Sequence, residues 1–221
     1  MFRATAMRLR ILYRAWLLRL RVHPVQTAYL LENLRAGEVA VDVGSHEGGF
    51  CYWMRKRVGP KGKVYAFEAD PRSAQYEREI VRWLGFDNLV IEEKTLSLRP
   101  SGAESSTVAS ETIDDYFARA SRPVSLIKIN AEGQVLEILR GGHRILTEDR
   151  PHLVFQCDRR HHGGDSIRPV FDLLMAKGYT GWFFLGNRQV DLTEFDEDLH
   201  QQPGATPYVS NFVFKHPDRR P

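Results

Sequence analysis

Two acids and two glycines, each set at the end of an apolar run, are the residues in this chain whose spacing could do chemistry. Val41-Asp42-Val43-Gly44-Ser45-His46-Glu47-Gly48-Gly49-Phe50 leads an apolar strand into a glycine turn. One helix later, Val64-Tyr65-Ala66-Phe67-Glu68-Ala69-Asp70-Pro71 leads a second apolar strand onto an acid. A βαβ unit of this kind suits a nucleoside. Gly44 and Gly48 let the backbone approach a ligand, and the turn at Ser45 with the helix start after Gly48 offers N–H groups that the helix leaves unpaired. Glu68, followed by Ala69 at the carboxyl end of the second strand, can accept both ribose hydroxyl protons. The spacing D-x-G-x-x-x-G lacks the G-x-G-x-x-G that seats a pyrophosphate on a helix N-terminus, which disfavours a nicotinamide dinucleotide. Asp42, just before the turn, would repel a phosphate and suits an ammonium, directly or through water. An adenosine carrying a cationic amino-acid tail is S-adenosylmethionine. That is the expected cofactor, with Asp42, Gly44, Ser45, Gly48, Glu68 and Ala69 as its contacts.

The elements around this unit must hold it in a sheet. Strands are expected near 39–43, 63–67, 88–92, 124–129 and 151–157. Helices are expected near 48–57, 71–84, 111–119, 132–146 and 165–177. Alternation of this kind predicts a parallel sheet with helices on both faces. The end differs: 179–185 and 189–192 flank Gly186-Asn187, a hairpin signal, and 208–214 reads as a last strand. A doubly wound sheet closing with an antiparallel strand is the seven-stranded class I methyltransferase architecture. The segment Arg99 to Ser110 is small and polar and predicts a loop beside the pocket.

With 221 residues and 43% hydrophobic content, the chain suits one α/β domain behind a short arm. The arm is expected over 1–36 and the domain over 37–221. Residues 1–31 hold six arginines and no acid, so the formal charge of +3 becomes −3 for the remainder. The basic balance therefore sits in the arm and gives no sign of nucleic-acid binding. An amphipathic helix is expected from about Thr5 to Arg21, with Leu9, Leu12, Tyr13, Trp16 and Leu20 on one face and Arg3, Arg10, Arg14 and Arg21 beside it. Such a face fits peripheral contact with an anionic membrane, packing on the domain, or a homodimer. His23-Pro24 breaks this helix, and a second follows from about Val25 to Leu34. Cys51 and Cys157 lie in apolar segments without metal-ligand spacing, which predicts buried thiols in a reducing compartment. With no run of eighteen apolar residues and no signal peptide, the expected location is cytoplasmic.

From about residue 23 to 215 the chain resembles the FkbM-type methyltransferases. The blocks that carry the resemblance are VDVGSHEGGF, VYAFEADP, ETIDDYF, SLIKINAEGQVLEILRGG and RPHLVFQCD, followed by GYTGWFF and YVSNFVF. It implies a Rossmann-like class I fold, S-adenosylmethionine as cofactor, and O-methylation of a small molecule or sugar-containing metabolite. Three family acids are missing. Ile127-Lys128-Ile129-Asn130-Ala131-Glu132-Gly133-Gln134-Val135 stands where the family reads IK-I-D-x-E-G-x-E, and Gln156-Cys157-Asp158 stands where it reads E-x-E. Asn130 and Gln156 keep shape and hydrogen bonding but lose charge, and Asn130 cannot act as a general base. The catalytic candidates are Lys128, Asn130, Glu132, Asp158 and His161. Lys128 sits on a strand buried on both faces and needs a partner. No divalent metal is expected, because hard cations want anionic oxygens. The alternative reading is a cofactor binder with non-methylating chemistry, such as an intramolecular cyclisation, or a pseudoenzyme partner subunit.

Overall fold

The apolar runs are buried on both faces, as a sheet covered by helices requires. The computed structural model describes residues 2–98 and 109–219. Along the chain run α1 (Phe2–Leu17), a π-helical turn (Leu18–Val22), α2 (Pro24–Asn33), β1 (Val39–Val43), α3 (Gly49–Val58), β2 (Lys63–Phe67) and α4 (Pro71–Leu84). There follow β3 (Leu89–Glu92), β4 (Lys94–Leu96), β5 (Ala109–Glu111), α5 (Ile113–Tyr116), β6 (Val124–Ile129), α6 (Val135–Arg140) and β7 (His152–Gln156). The chain closes with α7 (Arg168–Met175), β8 (Thr180–Leu185), β9 (Arg188–Asp191), α8 (Glu197–His200) and β10 (Asn211–Lys215).

The main sheet has the order β3-β2-β1-β6-β7-β10-β8-β9. The first five strands of that order are parallel, and β10 runs antiparallel to both β7 and β8. The expected hairpin adds β9 as an eighth strand at the edge. Alternating residues sort into two cores. Val41, Val43, Ile127, Ile129 and Phe155 face α5, α6 and α7, while Ala40, Val64, Ala66, Leu126 and Val213 face α2, α3 and α4. α4 keeps its expected bounds because each end has a stop: the Asp70 carboxylate accepts the Ser73 N–H at 2.9 Å, and Gly85 closes the helix at φ 63°.

Elsewhere the elements are shorter than the pattern predicts. The helix expected over 111–119 is α5 alone, because 109–111 pairs with β4 in a small parallel sheet and Thr112 caps the helix at Asp115 N. The helix expected over 132–146 starts only at Val135, after Gly133 at φ 71°, breaks at Gly141, and resumes into a π-helical turn (Ile145–Asp149). The last strand starts at Asn211, not 208. Of the expected polar loop, residues 99–108 lie outside the described residues, and Ala109 and Ser110 open β5.

α1 packs on α3 through Ile11 and Ala15, which are buried. The Trp53 indole N–H donates to Ala15 O at 2.7 Å, and Trp16 meets Trp53 edge-on with centroids 5.0 Å apart. The small side chain of Ala15 permits that approach. The stripe of Leu9, Tyr13, Trp16 and Leu20 faces outward instead and is exposed. Among the described residues no helix is long and apolar enough to cross a membrane.

Candidate functional site

In an open α/β sheet the crevice forms at the carboxyl ends of the strands where the order reverses. Here that point lies between β1 and β6. Gly44 N–H donates to Phe67 O at 2.8 Å, and Asn130 N–H donates to Val43 O at 2.8 Å, so three strand ends converge. Gly44 sits at φ 70°, and a Cβ there would lie 2.1 Å from the Asn130 carbonyl oxygen. Only glycine allows this approach.

Three cavities meet at the convergence. One of about 170 Å³ lies over β2 and is walled by Phe67, Glu68, Ala69, Leu96 and Ile138, with Gly44 and Asn130 at its edge. A second of about 210 Å³ lies between the turn after β1 and the joint of α1 and α2, with Arg14, Ser45, His23, Phe50 and Lys128 in its wall. A third of about 20 Å³ is lined by His23, Gln26, Phe50, Lys128, Asn130, Gln156 and Asn211, among others. Asn130 lines all three.

Glu68 accepts the His46 N–H at 2.7 Å and the Asp70 N–H at 2.8 Å. Two backbone donors thus fix the carboxylate between apolar walls, and each oxygen keeps further acceptor capacity for a ribose. The residues present fit an adenosine there. Asp42 is placed differently from a direct ammonium contact. It is fully buried beneath the cavities, with Lys128 Nζ 2.9 Å from Oδ1 and the Cys51 thiol donating to Oδ2 at 3.1 Å. β1 and β6 pair with Asp42 directly opposite Lys128, so both side chains emerge on the α3 face. Burial pushes the Asp42 carboxyl up and the Lys128 charge opposes it. Lys128 Nζ also donates to Gly44 O at 3.3 Å and lies 4.8 Å from the centre of the Phe50 ring. The partner that a buried lysine requires is therefore Asp42, and its ammonium faces the second and third cavities.

Ser45 and Gly48 serve a third acid, Glu77, that no motif singles out. Ser45 Oγ donates to Glu77 Oε2 at 2.6 Å, and Glu77, on α4, is buried. Glu77 Oε1 has no hydrogen-bond partner among the described residues and sits 3.0 Å from where a Gly48 Cβ would be. The absent side chain at Gly48 leaves room for this carboxyl. Burial, with help from the Asp42 and Glu68 charges, pushes Glu77 up to about 8. From its ordinary value of 4.5 up to that point, the folded chain holds a proton that the unfolded chain has released, so stability falls as pH rises through this window. Glu77→Gln should be more stable than the parent at pH 8, with the difference vanishing near pH 5. Urea melts at the two pH values check this, and an equal difference at both would show an ordinary, ionised Glu77.

The remaining candidates form a separate cluster. Asp158 is buried and accepts Arg160 Nε at 3.2 Å and Nη2 at 3.1 Å, with His161 Nδ1 3.5 Å away. His161 Nε2 lies 3.6 Å from Glu132, whose side chain is exposed. Burial raises the Asp158 carboxyl, but Arg160 and His161 together bring it below its ordinary value. None of Glu132, Asp158 and His161 lines the three cavities. Among the described residues no group of three His, Cys, Asp or Glu side chains could hold a metal ion. His23, Gln26 and Asn211 line the third cavity without any motif to mark them. His23 stood out in the sequence only as a helix breaker before Pro24.

Solved structures share this fold. A SAM dependent methyltransferase from Aquifex aeolicus matches with TM-score 0.56 at 17% identity, covering 90% of this chain and 92% of that one. A methyltransferase FkbM from Methylobacillus flagellatus matches with TM-score 0.59 at 16% identity, over 92% of this chain and 53% of that one. A methyltransferase from Streptococcus mutans in complex with SAH matches with TM-score 0.54 at 12% identity, over 87% and 96%. The fold is that of the class I methyltransferases, whose cofactor is S-adenosylmethionine. By sequence, a protein-L-isoaspartate O-methyltransferase from Ignicoccus hospitalis is 36% identical over 70 residues. That stretch is 31% of this chain and 33% of the relative, so the match spans about a third of each. The family described as the methyltransferase FkbM domain matches residues 42–180, more than half of the chain. The chain belongs to the FkbM methyltransferase family.

Proposed function

We propose that this protein transfers the methyl group of S-adenosylmethionine to an oxygen of a small molecule. The observation that carries the reading is the meeting of three cavities at Asn130. Glu68 and Ala69 would hold the ribose in the first. The turn through Ser45 would hold the amino-acid tail in the second. The third is left for the acceptor, and the common corner at Asn130 is where donor and acceptor would face one another. When bound, the cofactor supplies an electrophilic methyl on a sulfonium. The chain's own part is positioning, which for such an in-line displacement is the larger share of catalysis. That is why a strand end without a carboxylate is compatible with transfer. The name of the Ignicoccus relative supports oxygen as the accepting atom.

S-adenosylhomocysteine should bind, and Glu68→Ala should bind it about tenfold more weakly or worse. A hydrogen bond to a charged group contributes about 1.5–3 kcal/mol, and 1.4 kcal/mol is tenfold in affinity. Calorimetry checks this, and an unchanged affinity would remove the ribose assignment. Mass analysis after incubation with S-adenosylmethionine and candidate acceptors reads the chemistry. S-adenosylhomocysteine with a methylated product supports the proposal, whereas methylthioadenosine would sink it.

A further inference from the structure

We infer that the acceptor oxygen enters already ionised, as a carboxylate, and is held by Lys128 and the side-chain amides of Asn130, Gln156 and Asn211. This deepens, and rests on, the methyl-transfer reading above. The third cavity, at about 20 Å³, has room for a group little larger than a water molecule. Only the reacting head of an acceptor fits inside it. Among the described residues no aspartate or glutamate lines it.

Its polar wall holds Lys128, His23 and the amide side chains of Gln26, Asn130, Gln156 and Asn211, which can all donate. Gln156 and Asn211 stand opposite one another across β7 and β10, and Asn130 follows the end of the adjoining strand β6. Each amide carries two N–H donors, one of which Asn211 gives to Ser210 Oγ at 3.4 Å. Lys128 lines the cavity and Asp42 does not, so their ion pair turns its positive end toward the acceptor.

Other acceptor classes meet an obstacle in the same wall. A hydroxyl must lose a proton, and amides do not take one. Among the described lining residues His23 is the one that can. Burial lowers its pKa and the Lys128 charge lowers it further, which makes it a weaker proton acceptor. An ammonium would have to shed a proton and would face Lys128. A carboxylate needs no base. Its oxygen lone pair forms the bond to the methyl carbon as the carbon–sulfur bond breaks, and that electron pair stays on sulfur. A carboxylate and a sulfonium become a neutral ester and a neutral thioether, and no proton moves.

The test is a titration of sodium acetate into the full chain loaded with S-adenosylhomocysteine, followed by the NMR signals of the Asn130, Gln156 and Asn211 side-chain amides. Acetamide is the neutral counterpart and ethylammonium the cationic one. Acetate should bind at least tenfold more tightly than acetamide, and ethylammonium should leave the signals unmoved. Gln156→Glu should weaken acetate at least tenfold while S-adenosylhomocysteine binds as before, since Gln156 lines neither of the other cavities. Asn211→Asp, on the neighbouring strand, is the second variant, with the same expectation. Acetamide binding as well as acetate, or acetate affinity unchanged in both variants, would overturn the inference alone. Failure of the parent chain to bind S-adenosylhomocysteine would instead overturn the methyl-transfer reading, and this inference with it.

Discussion

Gly44→Ala is expected to lower stability by about 3 kcal/mol or more and to abolish binding of S-adenosylhomocysteine. Two penalties combine at this position. A left-handed backbone costs an alanine roughly 1–2 kcal/mol, and Gly44 sits at φ 70°. The added Cβ would also fall 2.1 Å from the Asn130 carbonyl, which belongs to the backbone and cannot rotate aside. Forcing an extra methyl into a packed site costs about 1–3 kcal/mol more. For a domain of this size that sum lowers the melting temperature by about 6–12 °C. The relief available, pushing β1 and β6 apart, opens the very corner where the cavities meet. Gly85→Ala is the control. Gly85 has φ 63° but nothing within 4 Å of a Cβ, so it should show the backbone penalty alone and keep its ligand. Equal losses in the two variants would show that the close approach at Gly44 is unimportant.

Lys128→Met should be more damaging than an ordinary core substitution. Removing one member of a buried ion pair leaves the other charge without compensation, at a cost of about 3–5 kcal/mol. Asp42 is fully buried, and among the described residues the Cys51 thiol is the one hydrogen-bond donor left to it. The loss should depend on pH in a definite direction. Burial already raises the Asp42 carboxyl, and without Lys128 it rises further, so the folded variant takes up a proton that the unfolded chain has released. Stability of Lys128→Met should therefore recover as pH falls from 8 toward 5. Adding Asp42→Asn should restore most of it at pH 8, because the stranded charge is gone. Urea melts of the single and double variants read both effects. A single variant as stable as the parent at pH 8 would show that the pair is not what holds this strand junction.

The scaffold was largely legible in the sequence, because long apolar runs and capped helices carry their own signals. α4, β1, β2 and β6 lie where the pattern expects them, near 71–84, 39–43, 63–67 and 124–129. What could not be read was anything set by strand order. Asp42 and Lys128 are opposite only because β6 lies beside β1, and a local pattern says nothing of that register. The same holds for Glu77, which looks like one more polar residue of a surface helix until α4 is laid beneath the turn after β1. β4 and β5, three residues each, are too short for any periodic signal. Gly44 and Gly48 were recognisable as positions that exclude a side chain. Their neighbours proved to be a carbonyl of the chain and a buried carboxyl of the chain.

The shared corner at Asn130 also bears on how proteins of this shape can diversify. On the methyl-transfer proposal, a side chain that borders the places of nucleoside, amino-acid tail and acceptor at once cannot be exchanged for the sake of one without disturbing the other two. Gln156 and Asn211 line the third cavity and neither of the others. New acceptor preferences are thus open to gradual change on β7 and β10, while a change on β6 has to arrive together with compensating changes around the cofactor.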